Sequence, residues 1–182
     1  MVVAPPSTLY RFQVDLSDID RGVYEILDFR AAMHPSESLL YLVTRVLAFV
    51  LNSGESVAFS PEGLSDPDAP CIRSLDTNGT TLIWIEIGNP SARKLHKAAK
   101  GAKQVKVYTY KDPVLLLKEL AGAQVHRAED LEIYSLSPKF LESLAATLER
   151  NNSWTVIHHE QALTVTMGEK SFQAELFRHI LT

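Results

Sequence analysis

Glu86 stands near the end of the run Leu82-Ile83-Trp84-Ile85-Glu86-Ile87-Gly88. The run has the length and apolar content of a buried strand. A carboxylate at its far end requires a cationic partner, hydrogen-bond donors or a bound cation. The chemistry open to Glu86 therefore runs from an ion pair at a sheet edge to ligation of a metal. Asp68 is the second candidate. It lies in residues 61–70, too rich in Pro, Gly and Asp for regular structure, where an Asp beside a proline also serves as a plain turn former. Glu37 is the third, placed in the first turn of a helical pattern, where a carboxylate suits the macrodipole whatever its function. Basic residues gather just downstream. No acid occurs between Glu86 and Asp112, and seven of the 18 basic residues do: Arg93, Lys94, Lys97, Lys100, Lys103, Lys106 and Lys111. Such a face either contacts phosphates or is simply solvated.

The elements that must position these groups follow from pattern. Asn78-Gly79 between two strand-like runs is the preferred sequence of a two-residue type I′ turn. That turn sets Thr77 opposite Thr80, Leu75 opposite Leu82, Arg73 opposite Trp84 and Cys71 opposite Glu86. It also brings the Asp68 loop to the Glu86 end of the hairpin. Arg73 against Trp84 is a packing contact with a cation–π contribution. Upstream, a helix is predicted from Pro35-Ser36 to about Asn52, with Leu39, Leu40, Val43, Val46, Leu47 and Val50 on its apolar face and Glu37, Tyr41, Thr44 and Arg45 along a polar stripe. Downstream, Ser91 caps a helix over 92–102 in which Arg93, Lys97 and Lys100 share a face, with Lys94 adjacent on the wheel.

Strands are further predicted over 8–16, 22–33, 55–59, 104–110, 131–134, 154–159, 162–167 and 171–177, and helices over 112–122 and 138–150. The expected class is α/β: a mixed central sheet with flanking helices, plus extra N- and C-terminal antiparallel strands. No repeat or linker divides the chain, so residues 1–182 are expected to form one domain.

Composition narrows the options. Of 182 residues 46% are hydrophobic and 22% charged, ordinary for a globular protein. A net charge of −4 argues against indiscriminate nucleic-acid binding by the whole surface, although a local basic face is compatible with it. A lone cysteine excludes an internal disulfide, Met1–Tyr10 lacks a secretory pattern, and no apolar run is long enough to span a membrane. The expected location is cytoplasmic.

The segments His34-Pro35-Ser36-Glu37, Gly63-Leu64 with Asp68 and Pro70, Trp84-Ile85-Glu86-Ile87-Gly88 with Pro90, and Arg93 with Lys97-Ala98 together resemble the YaeQ family of bacterial proteins. The order helix, strand, hairpin, helix, strand over residues 35–110 resembles the restriction-endonuclease-like αβββαβ core of the PD-(D/E)XK nuclease superfamily. The resemblance implies Mg²⁺ held by Asp68 and Glu86, with Glu37 joining the site. Hard oxygen ligands suit that ion, which lowers the pKa of bound water and neutralises charge developing on phosphate. A lysine usually stands two residues beyond the strand carboxylate. Here that position is Gly88, and Lys97 on the next helix is the expected substitute. Glu37, Asp68, Glu86 and Lys97 are thus the catalytic candidates for phosphodiester hydrolysis, with Arg73, Arg93, Lys94 and Lys100 as nucleic-acid contacts. The alternative is an inert descendant of that fold that binds nucleic acid or protein through its basic helix. A small-molecule pocket beside Tyr108 or Tyr110 is a third possibility. His158-His159-Glu160 lacks metal-binding spacing and is expected to be a surface hairpin, and His34 to be structural. Cys71 has no basic or His partner evident in the sequence and is not expected to be a nucleophile.

Overall fold

The computed structural model describes residues 6–181. Residues 1–5, half of the segment read above for a leader, lie outside the described part. The chain runs β1 (Thr8–Asp18), β2 (Val23–Met33), α1 (Leu39–Val50), β3 (Ala58–Phe59), β4 (Ile72–Leu75), β5 (Thr81–Ile87), α2 (Ala92–Gly101), β6 (Ala102–Thr109), α3 (Pro113–Ala121), β7 (Glu132–Ser135), α4 (Pro138–Ala145), β8 (Asn151–His159), β9 (Ala162–Met167), β10 (Lys170–Glu175) and β11 (Phe177–His179). Two mixed sheets result. One has the order β10-β9-β8-β1-β2, the other β11-β7-β6-β5-β4-β3.

The extra N- and C-terminal strands pair antiparallel as expected, β1 with β2 and β8 with β9 and β10. They close on each other through a parallel β1–β8 ladder and form the five-stranded sheet. The predicted strand over 171–177 is also divided between the sheets. Leu176 is buried at the break and donates its N–H to the Gln161 carbonyl at 2.7 Å, so β10 stays with β9 while β11 pairs with β7. Alternation alone cannot register such a change of partner.

Helix α1 lies between the sheets' apolar faces. Leu42, Val43, Val46, Leu47 and Val50 are fully buried, in one cluster with Phe12, Val14 and Val156 of the first sheet and Ile72, Ile83 and Ile85 of the second. The helix starts at Leu39, later than Pro35-Ser36. Ser38 is the cap and its Oγ accepts the Tyr41 N–H at 3.1 Å. Glu37 therefore precedes the helix, and the macrodipole argument for it lapses. Likewise α4 ends at Ala145, well before Arg150.

The central hairpin keeps the predicted register by an unpredicted route. Arg73 pairs with Trp84 and Ile72 with Ile85 as expected, but Leu75 pairs with Thr81 across a bulge. Asp76 O accepts from Gly79 N at 3.0 Å and Asp76 N donates to Thr80 O at 2.9 Å, while Gly79 has φ +82°. This is a three-residue loop: a type I turn closed by a glycine bulge. Asp76 Oδ1 selects it by accepting the N–H groups of Asn78 and Thr80, both at 2.8 Å. A Cβ at Gly79 would meet nothing within 4 Å, so the requirement for glycine is purely conformational. Gly79→Ala should lower the unfolding free energy by about 1–2 kcal/mol in urea titration. Asn78→Ala should cost far less, whereas a type I′ turn would penalise both.

Candidate functional site

The site is built at the end of β5 where α2 begins. Trp84 and Glu86 are two apart on the strand and share its α2 face, while Ile83, Ile85 and Ile87 enter the core on the other. Glu86 is 2% exposed. Its Oε1 accepts the Trp84 indole N–H at 2.7 Å. Its Oε2 lies 3.0 Å from the Lys94 ammonium and 3.6 Å from the Cys71 thiol. Tyr41 reaches the same sulfur from α1, with its hydroxyl 2.8 Å from Cys71 Sγ. Burial pushes Glu86 above the ordinary carboxylate value, and the Lys94 charge, then the Trp84 and Cys71 hydrogen bonds, pull it back. Burial, with the Glu86 charge, raises the Cys71 thiol to about 11. Cys71 is therefore a thiol near neutrality, in keeping with its reading as a non-nucleophile.

Lys94 owes its position to the start of α2. Ser91 Oγ accepts the Lys94 N–H at 3.2 Å, and Glu119 of α3 accepts the Ala92 N–H at 2.8 Å. The first turn is thus held by two elements, and the lysine stem reaches back over the strand end. Gly88 explains why no lysine stands two residues after Glu86. Its φ is +83° and its N–H bonds the Tyr108 carbonyl at 2.9 Å, a left-handed position past the strand end that disfavours a side chain.

The other predicted residues are distributed around this centre. Lys97, the expected partner, lies one helical turn further on and pairs with Asp68 Oδ2 at 3.3 Å. Arg93 approaches the same carboxylate at 3.9 Å. Asp68 is half-exposed on its loop, with its N–H on Asp66 Oδ1 at 2.8 Å. Glu37 is buried against Arg45: Nε donates to Oε1 at 3.0 Å and Nη2 to Oε2 at 3.1 Å, while the His34 N–H reaches Oε2 at 3.0 Å. Arg73, expected on phosphate and over Trp84, turns toward Glu62 at 3.6 Å. Lys100 is exposed in the last turn of α2, where it suits the macrodipole.

Each carboxylate thus has its own protein cation: Lys94 for Glu86, Lys97 for Asp68, Arg45 for Glu37. Among the described residues no three His, Cys, Asp or Glu side chains converge on one point. With both Glu86 oxygens already engaged, this donor set does not fit a resident Mg²⁺.

The family model described as YaeQ protein matches residues 3–176. The chain belongs to the YaeQ family. Relatives described as uncharacterized protein YaeQ, from Escherichia coli (strain K12) and from Salmonella typhi, are each 31% identical over 108 residues, 59% of this chain. The matched stretch also spans 59% of those relatives' own length. The crystal structure of YaeQ protein from Xanthomonas axonopodis pv. citri superposes with a TM-score of 0.89 at 27% identity, over 97% of this chain and 99% of that one. That of YaeQ protein from Pseudomonas syringae gives 0.88 at 30% identity, over 96% and 97%. These relatives are bacterial, and no described helix of this family member is long and apolar enough to cross a membrane.

Three remaining expectations resolve locally. His158-His159-Glu160 does close a hairpin between β8 and β9 with His159 and Glu160 exposed, while His158 sits between Asp18 at 3.1 Å and Asp20 at 3.7 Å. Tyr108 is buried, with its hydroxyl accepting from Asn52 at 2.9 Å, rather than bounding an open pocket. His34 Nδ1 is bound to Ser36, whose N–H it accepts at 3.1 Å, but the ring also lines a cavity of about 260 Å³ beside Glu37. That cavity is not legible in the sequence beyond one signal, the polar residues Tyr41 and Arg45 on an otherwise apolar helix with Glu37 just before it.

Two measurements follow. Because the folded state holds the Glu86 proton more tightly than the unfolded chain, that contribution is complete below the ordinary value of 4.5 and is lost as pH rises through the raised folded value. Urea melts at a series of pH values should therefore show wild type losing stability relative to Glu86→Gln across a window opening near 4.5. Lys94→Met, which strands a buried carboxylate, should cost about 3 kcal/mol at neutral pH. Combined with Glu86→Gln it should cost clearly less than the two single losses added together.

Proposed function

We propose that this YaeQ-family chain is a PD-(D/E)XK-like protein that binds nucleic acid along α2 without itself being a resident-metal enzyme. The carrying observation is the sealed Glu86, held by Lys94, Trp84 and Cys71 with 2% exposure, where a nuclease carboxylate would face its metal. The superfamily reading is supported by the order of α1, β3, β4, β5, α2 and β6, and by the antiparallel β3–β4–β5 meander followed by a parallel β5–β6 pair.

The binding face rests on exposure. The side chains of Arg93 and Lys97 are 88% and 55% exposed, and Lys100 is exposed beyond them. Asp68 holds the first two only through solvent-exposed pairs, which contribute little and yield readily to phosphate. Contacts of this kind bind the backbone by counterion release and do not read sequence. A cytoplasmic location goes with such a partner.

A second reading, Mg²⁺-dependent phosphodiester hydrolysis around Glu37, Asp68 and Glu86, is favoured by one observation: a lysine from α2 stands 3.0 Å from the strand carboxylate.

Fluorescence anisotropy with labelled duplex DNA, single-stranded DNA and RNA separates the readings. The affinity should fall steeply with salt, and Arg93→Glu or Lys97→Glu should weaken it and reduce the log–log salt slope by about one per lost contact. Salt-independent binding, or none, rejects the proposal. Cleavage with Mg²⁺ or Mn²⁺ that disappears in Glu86→Gln replaces it with the second reading.

A further inference from the structure

The edge of a sheet presents unpaired main-chain groups, and three of the four edges in this fold are blunted. β3 has two residues and β11 three, too short to take a partner strand. β10 has six, with a charge at either end, Lys170 and Glu175. β2 is different. It has eleven residues, pairs with β1 along its whole length without a bulge, and contains neither proline nor lysine.

Two hydrogen bonds fix which main-chain groups of β2 face outward. Arg11 donates its N–H to Arg150 O at 2.8 Å, away from its β2 partner Arg30. Ala32 O accepts from Arg45 Nη2 at 2.7 Å, away from β1. In an antiparallel ladder these orientations alternate, so the even-numbered residues of β2 turn N–H and C=O toward the free edge. Among the described residues nothing bonds the main-chain groups of Tyr24, Ile26, Asp28 or Arg30 there. The same residues carry their side chains on the outer face. Ile26 is 86% exposed, more than any other large apolar residue described, and Tyr24 is 64% exposed. Beyond Tyr24, across Ser17, lies the exposed Ile157.

A second copy of the chain, turned antiparallel about a two-fold axis, supplies what this edge lacks, and the residues select the register. Centred on Glu25 or on Asp28, the ladder sets that carboxylate against its own copy, which is repulsive. Centred on Phe29, it sets Ile26 opposite Ala32, whose carbonyl Arg45 already holds. Centred on Leu27, it buries Ile26 against the Asp28 carboxylate. Centred on Ile26, it avoids all of these. Ile26 then packs on Ile26, Tyr24 opposes Asp28, Glu25 opposes Leu27 and Arg30 opposes Gly22, so no like charges meet and Ala32 keeps Arg45. The Tyr24 phenol is an O–H donor beside a carboxylate that Arg11 Nε already holds at 2.9 Å.

We propose that this protein forms a two-fold dimer by antiparallel pairing of β2 with β2, centred on Ile26, which joins the two five-stranded sheets into one. The interface is separate from the basic face of α2, which follows β5 of the other sheet. It stands or falls independently of nucleic-acid binding.

Analytical ultracentrifugation of the full chain from micromolar to millimolar concentration should show a reversible monomer–dimer equilibrium. Ile26→Lys and Ile26→Asp should each weaken the dimer about tenfold or more, because each sets like charges against each other at the axis. An equal mixture of the two variants should dimerise again, since every lysine then opposes an aspartate. Position 26 is exposed, so both variants should fold, and circular-dichroism melts matching wild type check that. A wild type that stays monomeric at every concentration overturns the proposal and leaves the edge to water or to an extended segment of another protein. A dimer that tolerates both substitutions overturns it too, as does a mixture that remains monomeric.

Discussion

A carboxylate sealed at the end of an apolar strand governs the geometry of this molecule. Glu86 is stable there because three donors from three places meet it: Trp84 from its own strand, Lys94 from the next helix and Cys71 from across the hairpin. Burial favours the neutral acid and the lysine favours the charged one, so the strand end carries an opposed electrostatic balance. The pair also fixes where α2 begins relative to β5, which in turn sets the direction of the basic face. Ser91 and Glu119 reinforce that start by taking the N–H groups of Lys94 and Ala92.

The same principle recurs at Glu37 and Asp68. Glu37, Asp68 and Glu86 are each neutralised by a side chain of the protein itself, and the tightness of the pairing follows burial. Glu37–Arg45 is a buried bidentate pair, whereas Asp68–Lys97 is half in solvent. Buried pairs are costly to break and exposed ones are not. The inner carboxylates are therefore part of the framework, while the α2 cations are free to exchange partners. That separation ties the functional reading to the outer face of the helix rather than to its inner edge.

Legibility varied with the range of the interaction. The hairpin register, the Ser91 cap, the Asp112-Pro113 helix start and the αβββαβ order over residues 39–109 depend on neighbours in sequence and were readable. The turn type was misread because Asn78-Gly79 fits two turn classes, and Asp76, two residues before Asn78, decides between them. Lys97 was preferred over Lys94 because spacing on a helical wheel says which residues share a face, not how close the helix axis lies to a strand end. The second sheet escaped because β1 and β8 are separated by most of the chain.

By itself the sequence determined the elements, the apolar face of α1 from Val43 to Val50, the alternation that places Trp84 and Glu86 on one side of β5, and the concentration of cations after Glu86. These follow from period, capping chemistry and composition, which act over a few residues. Tertiary structure alone decided that Lys94 seals Glu86, that Arg45 neutralises Glu37, that Arg73 turns to Glu62, and that β1, β2, β8, β9 and β10 form a sheet of their own. Those outcomes depend on where elements distant in sequence come to rest. Charges and hydrogen-bond donors act over a few ångströms, and helix placement on that scale is set by the packing of the whole core.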